Sequence, residues 1–173
     1  MTAPSPGSLV VMGVAGCGKS TLAAAVAAQL AQRWLEGDEF HSEASRRKMA
    51  RGEPLTDDDR ASWLARLCEE LRREPRLVMT CSALKRAYRD QLRAASPGLR
   101  FAFLDIDKAE SRRRVSARAS HFFAASLVDS QFDTLEPPTA EPGVLHLDGR
   151  LPVDALCAQT CAWLRQATSE LRP

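Results

Sequence analysis

Three features of the sequence predict an α/β fold: a five-stranded parallel sheet flanked by helices, with a phosphate-binding loop at its first strand–helix junction. Apolar runs alternate with amphipathic ones along the chain, the signature of a sheet covered on both faces. The string GVAGCGKST (13–21) stands directly behind the apolar run SLVVM. The 173 residues are enough for one domain with a sizeable core, and they contain no internal repeat.

Each element follows in order. SLVVM (8–12) is the buried first strand, and the alanine- and leucine-rich stretch after Lys19 is the first helix. RWLE (33–36) is a short second strand. Residues 42–52 form a helix with Ser42 as its cap and Gly52 as its stop. DDDRASWLARLCEELRR (57–73) is a longer helix. Its acidic start and arginine-rich end complement the helix dipole, and Trp63, Leu64, Leu67 and Leu71 form its core stripe. RLVMTC (76–81) is the third strand, followed by a helix with Ser82 available to cap it and with Lys85 and Arg89 on one face. LRFAFLDI (99–106) and GVLHLD (143–148) are the fourth and fifth strands, and the last helix lies within 152–168. Residues 108–133, with Arg112, Arg113, Arg114 and Arg118 ahead of HFF, read as a basic helical lid expected to move. TLEPPTAEPG (134–143) reads as an extended connector. The expected organisation is a single domain over 1–173. Its core is 8–107 and 134–173, its acceptor-binding region about 37–63, and its lid about 108–133.

Composition narrows the function. With 24 basic and 22 acidic side chains the net charge is about +2, which gives no support for nucleic-acid binding. The apolar runs fall far short of the roughly 18 residues a membrane span requires. The opening MTAPSPGS lacks the basic flank and apolar stretch of a secretory signal. The cysteines, Cys17, Cys68, Cys81, Cys157 and Cys161, are odd in number and lack zinc-ligand spacing. Reduced thiols in a cytoplasmic protein are expected.

Gly13, Val14, Ala15, Gly16, Cys17, Gly18, Lys19 and Ser20 satisfy G-x-x-x-x-G-K-[ST], and Thr21 follows. Glycines let backbone N–H groups curl around phosphates, and the new helix points its positive end at them. Lys19 adds charge near the β- and γ-phosphates, while Ser20 offers a hydroxyl to Mg²⁺. ATP and Mg²⁺ are therefore the expected cofactors of a P-loop kinase fold. Switch proteins and motor ATPases usually carry an acid at the end of a second hydrophobic strand. Here the third strand ends MTCSALK, and no Asn-Lys-x-Asp guanine reader is present. A small-molecule kinase fits better.

A hydroxyl acceptor needs a carboxylate to orient it. Asp38, just beyond the second strand, is the candidate, either in that role or as a metal ligand through water. Lys48 and Arg60 suit an anionic acceptor. Lys85 and Arg89 are further acceptor ligands, with His121 and Gln131 close enough in sequence to join them. Arg114 and Arg118 are placed to bring positive charge onto the transferring phosphoryl group when the lid closes. The other readings are a kinase for another small hydroxy acid or a nucleoside monophosphate, and a non-enzymatic ATP-binding regulator.

Taken together, VVMGVAGCGKST, EGDEFH, KMARGEPLTDDDRASWL, CSALKRAYRD, HFF and SQFDTLEPP resemble the small gluconate kinases, relatives of shikimate and adenylate kinases. The resemblance implies ATP- and Mg²⁺-dependent phosphorylation of D-gluconate at its 6-hydroxyl, usually by a homodimer. It places Asp38 and His41 in a G-D-x-x-H pattern and Arg60 at the close of D-x-D-R. Lys85 and Arg89 fall within CSALK-x-x-YRD, and Arg114, Arg118, His121 and Gln131 fall at lid or acceptor-side positions. The chain departs from the family at Glu36, where aspartate is common, at Ser42 and Ser62, where proline is common, at Ser45, where asparagine is common nearby, and at Ser120, where glycine is usual. These departures bear on acceptor preference and rate rather than on phosphoryl transfer.

Overall fold

The computed structural model describes residues 7–118 and 126–169, with side chains through 166. Five strands, β1 (Leu9–Met12), β2 (Arg33–Leu35), β3 (Leu77–Thr80), β4 (Arg100–Asp105) and β5 (Val144–Asp148), pair in parallel in the order β2-β3-β1-β4-β5. The helices are α1 (Lys19–Leu30), α2 (Glu43–Ala50), α3 (Asp57–Arg73), α4 (Arg86–Ala95), α5 (Lys108–Ala117), α6 (Leu127–Thr134) and α7 (Val153–Ser169). A 3-10 turn, Gly37–Phe40, follows β2. The five expected strands and the helices between them are all present, with ends shifted by a residue or two.

Because β1 is central, both of its faces are buried, which is why its sequence is continuously apolar. Leu9 and Val11 pack with Val26 of α1 and with Leu156 and Leu164 of α7. Val10 and Met12 face the other way, toward Leu67 and Leu71 of α3 and Leu92 of α4. A smaller cluster of Met49, Leu55 and Leu127 ties the acceptor-side region to α6. The five cysteines are buried and free. Among the described residues no helix is long and apolar enough to cross a membrane.

Local chemistry sets the helix starts. The Ser42 hydroxyl accepts the Ser45 N–H at 3.1 Å, capping α2 as expected. Thr56 and Asp59 form a capping box on α3: Thr56 Oγ1 accepts from Asp59 N at 3.2 Å, and the Asp59 carboxylate accepts from Thr56 N at 2.9 Å. Asp107 caps α5. Ser82 caps nothing, because α4 begins at Arg86 behind Lys85.

Arg89 is turned into the protein, contrary to its expected role as an acceptor ligand. It is fully buried. Its guanidinium donates to the carbonyls of Ala83 (2.8 Å), Leu84 (3.2 Å) and Glu136 (3.0 Å), and to the Glu141 carboxylate. Glu141 also accepts from Arg93 at 2.8 Å, and these arginines, Arg89 foremost, hold its carboxyl down at about 2. The network straps the 134–143 connector to α4. Glu141→Ala would leave Arg89 as an unpaired buried charge. It should cost about 3–5 kcal/mol in urea denaturation; a loss below about 1 kcal/mol would show that the strap does not hold the fold.

Candidate active site

The phosphate loop lies between the central strand and α1. Gly18, immediately before the helix, has φ 100°, a left-handed conformation that only glycine adopts readily. No side chain caps α1, so its first N–H groups remain available to an anion. Lys19 Nζ arches back over the loop, donating to the carbonyls of Gly13 (3.1 Å) and Val14 (3.0 Å). The loop is braced from outside by α5 and α6. Ser111 Oγ donates to Ala15 O at 2.7 Å, and Arg114 Nη1 donates to Gly149 O at 3.0 Å and, at longer range, to Gly16 O and Cys17 O. The Gln131 side-chain oxygen accepts the Ala15 N–H at 2.6 Å. Cys17 is buried, and that burial raises its thiol above the ordinary range and keeps it protonated.

Beyond β2 the chain makes the turn that carries the site's acids. Gly37 packs so tightly on β3 that a Cβ there would stand 1.9 Å from Thr80 O. Its N–H donates to Thr80 Oγ1 at 2.9 Å, and its carbonyl accepts the indole N–H of Trp63 at 2.8 Å. Held from both sides, the turn points Glu36 at the loop, where its carboxylate accepts hydrogen bonds from both Ser20 Oγ and Thr80 Oγ1. Asp38 faces a cavity of about 180 Å³ beside the loop. His41 lines the same cavity, stacked on Trp63 with ring centroids 4.2 Å apart and an interplanar angle of 16°. Burial, with the Arg60 and Arg46 charges nearby, lowers the imidazole from 6.5 to about 4. Its 3.8 Å approach to Asp38 is therefore not an ion pair at neutral pH.

Of the residues expected at the site, Ala15, Gly16, Gly18, Lys19, Ser20, Asp38, His41, Arg60, Arg118 and Gln131 line this cavity. Its apolar wall is Met49, Leu55 and Leu127. Arg60 Nη1 donates to Leu55 O at 2.6 Å, and its guanidinium lies over the Tyr88 ring. Arg114, Arg118 and Thr21 border a second cavity of about 350 Å³ across the loop, together with Gly149, Leu151 and Val153. Lys48 and Lys85 do not line this first cavity. Lys48 donates to both oxygens of Asp59 at 2.9 and 2.8 Å, and this pairing holds the Asp59 carboxyl at about 2. Lys85 is paired with Asp57 at 2.9 Å. His121 and Ser120 lie outside the described residues.

The chain as a whole is similar to known proteins. Residues 9–138 match the family model described as an AAA domain. The chain is 44% identical over 156 residues to a gluconokinase of Gluconobacter oxydans, covering 87% of each protein. It is also 44% identical over 158 residues to the thermoresistant gluconokinase of Escherichia coli, covering 87% of this chain and 89% of that one. The chain belongs to the gluconokinase family. A crystal structure of a gluconokinase from Sinorhizobium meliloti superposes on it with a TM-score of 0.89 at 41% identity, covering 96% of both chains.

In this gluconokinase-family chain the acid that meets Ser20 is Glu36, whereas the sequence pointed to Asp38 for the metal. Ser20 and Glu36 present a hydroxyl and a carboxylate, an all-oxygen set that suits a hard cation such as Mg²⁺. Among the described residues no group of three or more His, Cys, Asp or Glu side chains could cage a metal. Mg²⁺ fits that arrangement, since it usually keeps phosphate oxygens and waters in its shell. Thr80 and Trp63 were also missed as site-building residues. The absence of an acid at the end of the third strand was the available signal for Thr80, which instead holds the acid of β2 in place.

The lowered His41 value has a consequence for stability. A folded-state pKa below the unfolded one means that the unfolded chain takes up the proton first as pH falls. The cost is absent above about pH 6.5 and is fully developed below about pH 4. It amounts to roughly 3 kcal/mol. In denaturation curves recorded across this window, His41→Phe should lack this component of acid destabilisation. Parallel pH profiles for the two proteins would disprove it.

Proposed function

We propose that this chain transfers the γ-phosphoryl group of ATP to the 6-hydroxyl of D-gluconate, giving 6-phospho-D-gluconate and ADP. The observation that carries the reading is the acceptor cavity. Asp38, His41 and Arg60 converge there directly beside a phosphate loop, in a chain of the gluconokinase family. A polyol carboxylate needs this mixture, with a cation for its carboxylate and polar groups for its hydroxyls.

In the mechanism, the triphosphate lies along the N–H groups of Gly16 to Thr21, and the nucleoside takes the second cavity beside Arg114 and Leu151. Ser20 and Glu36 would hold Mg²⁺, which would neutralise phosphate charge and help orient the γ-phosphoryl group. Gluconate lies between the turn after β2 and α6. Arg60 binds its carboxylate, and Asp38 accepts a hydrogen bond from the 6-hydroxyl, aligning it for in-line attack and receiving its proton. Lys19 leaves its loop carbonyls for the β- and γ-phosphates, and Arg118 adds charge from the α5 side. Within the lid expected over 108–133, α5 and α6 sit against the phosphate loop through Ser111, Arg114 and Gln131 and shield the phosphates from water. Lys48 and Lys85 serve the acceptor indirectly, by fixing Asp59 and Asp57 at the start of α3. His121 belongs to the same lid-side proposal. The family resemblance supports a homodimer, and the five free, buried cysteines are in keeping with a reducing, cytoplasmic setting.

The test is acceptor-dependent ADP release with Mg-ATP, comparing D-gluconate with shikimate, other sugar acids and nucleoside monophosphates. Saturable turnover on gluconate, with phosphate on the 6-position, is expected. Folded, ATP-binding protein that leaves gluconate untouched would overturn the reading. Asp38→Asn should lower kcat by about 10²–10⁴-fold while leaving ATP affinity within a few-fold. Lys19→Ala should lower kcat by about 10²–10³-fold. If Asp38→Asn weakened ATP binding as much as turnover, the carboxylate would belong to the metal rather than the acceptor.

A further inference from the structure

Resting on that phosphoryl-transfer reading, we propose that Gln131 is a catalytic residue on the phosphate side, donating from its NH2 group to a γ-phosphoryl oxygen. Its bond to the loop fixes which end of the carboxamide is which. The Ala15 N–H is a donor, so the atom it meets at 2.6 Å is the oxygen. What remains is an NH2 group with two donors and no acceptor. Among the described residues Nε2 makes no hydrogen bond, yet it is not one of the buried atoms left without a partner. It is therefore open, on a side chain that lines the cavity beside the loop.

The loop around Gln131 indicates what that group meets. The peptide unit between Val14 and Ala15 is gripped on both edges: Lys19 Nζ donates to its carbonyl oxygen at 3.0 Å, and Gln131 Oε1 accepts from its N–H. In a trans peptide these two groups point opposite ways, so ammonium and carboxamide flank one stretch of the loop. The ammonium is the group that moves to the β- and γ-phosphates. The carboxamide thus stands at the lip where the terminal phosphoryl group passes to the acceptor, in the same cavity as Asp38. A non-bridging phosphoryl oxygen only accepts, and a donor already in place stabilises the charge spread over these oxygens in the transition state. The glutamine takes one N–H out of the loop's donor set and returns two farther out.

Neighbouring contacts aim the group. Ser111 Oγ donates to the Ala15 carbonyl at 2.7 Å, so α5 and α6 hold the same residue. The two helices are also tied to each other. Asp129 accepts from Arg112 at 2.6 Å, and Lys108 Nζ lies over the Phe132 ring, 5.7 Å from its centroid. Gln131 falls between these two ties on α6.

The experiment measures Kd for Mg-ADP and for the Mg complex of the β,γ-imido analogue of ATP by calorimetry, without acceptor, in the wild type, Gln131→Glu and Gln131→Met. Steady-state turnover of gluconate is measured alongside. Gln131→Glu keeps an oxygen for the Ala15 N–H but has nothing to donate. It should bind ADP within about two-fold of the wild type and lose about 10-fold or more on the analogue. Its kcat should fall by about 10²–10³-fold, with KM for gluconate little changed. Gln131→Met adds no charge and should shift the balance between the two nucleotides the same way. A shift confined to Gln131→Glu would be repulsion alone and would overturn the proposal. Equal weakening on both nucleotides would reduce Gln131 to a brace of the loop, and a raised KM for gluconate with the nucleotide balance unchanged would place it on the acceptor; either result overturns it. If the wild type left gluconate untouched the proposed function would fall, while the nucleotide balance, measured without acceptor, would still decide the role of Gln131.

Discussion

The site depends on one close approach between backbones. With no side chain at position 37, the turn after β2 rests against Thr80 at a separation where even a methyl group would collide with the carbonyl oxygen. That contact lets one threonine do two things: its hydroxyl accepts the Gly37 N–H and donates to Glu36. The acid is thereby carried to Ser20 at the start of α1, and the next acid, Asp38, is turned into the cavity beside the loop. Phosphate side and acceptor side are thus registered through about three residues of backbone, in keeping with the small tolerances of in-line transfer.

Much of this was legible in the sequence, because the strongest constraints are local. A strand, a glycine-rich turn ending in Lys-Ser, and a helix occur contiguously, so the loop could be placed before any tertiary contact was known. The same holds for Ser42 and for the acidic start of α3, where capping acts within three residues. Asp38 and Arg60, which line one cavity with His41, stood out because a strand end and a dense run of charges mark the ligand edge of such a sheet, whereas His41 was singled out by the family resemblance.

What was not legible depended on distant partners. Arg89 has the charge and spacing of a ligand residue. Glu141, 52 positions later, draws it inward, and nothing near Arg89 announces that partner. Lys48 and Lys85 were misplaced for a similar reason: the acids that α3 uses at its start also reach out to these lysines. Glu36 had been noted only as a departure from the family's aspartate. Its role needed Thr80 and Ser20 to be brought together from two further elements. Trp63 was correctly placed in the core stripe, but it also has an edge in the site, a double role that periodicity alone cannot reveal.

The bond between Gln131 and Ala15 joins residues 116 positions apart. Ser111 and Arg114 reach the same loop across 96 and 98 positions, so the order of assembly comes into view. During synthesis the strand, loop and first helix emerge early and can take up their local shape, while the cover that α6 provides does not yet exist. Until then the Ala15 N–H has no Gln131 side chain to accept it. The loop acquires its acceptor-side wall only when the chain has been made as far as α6 and has folded back across the sheet.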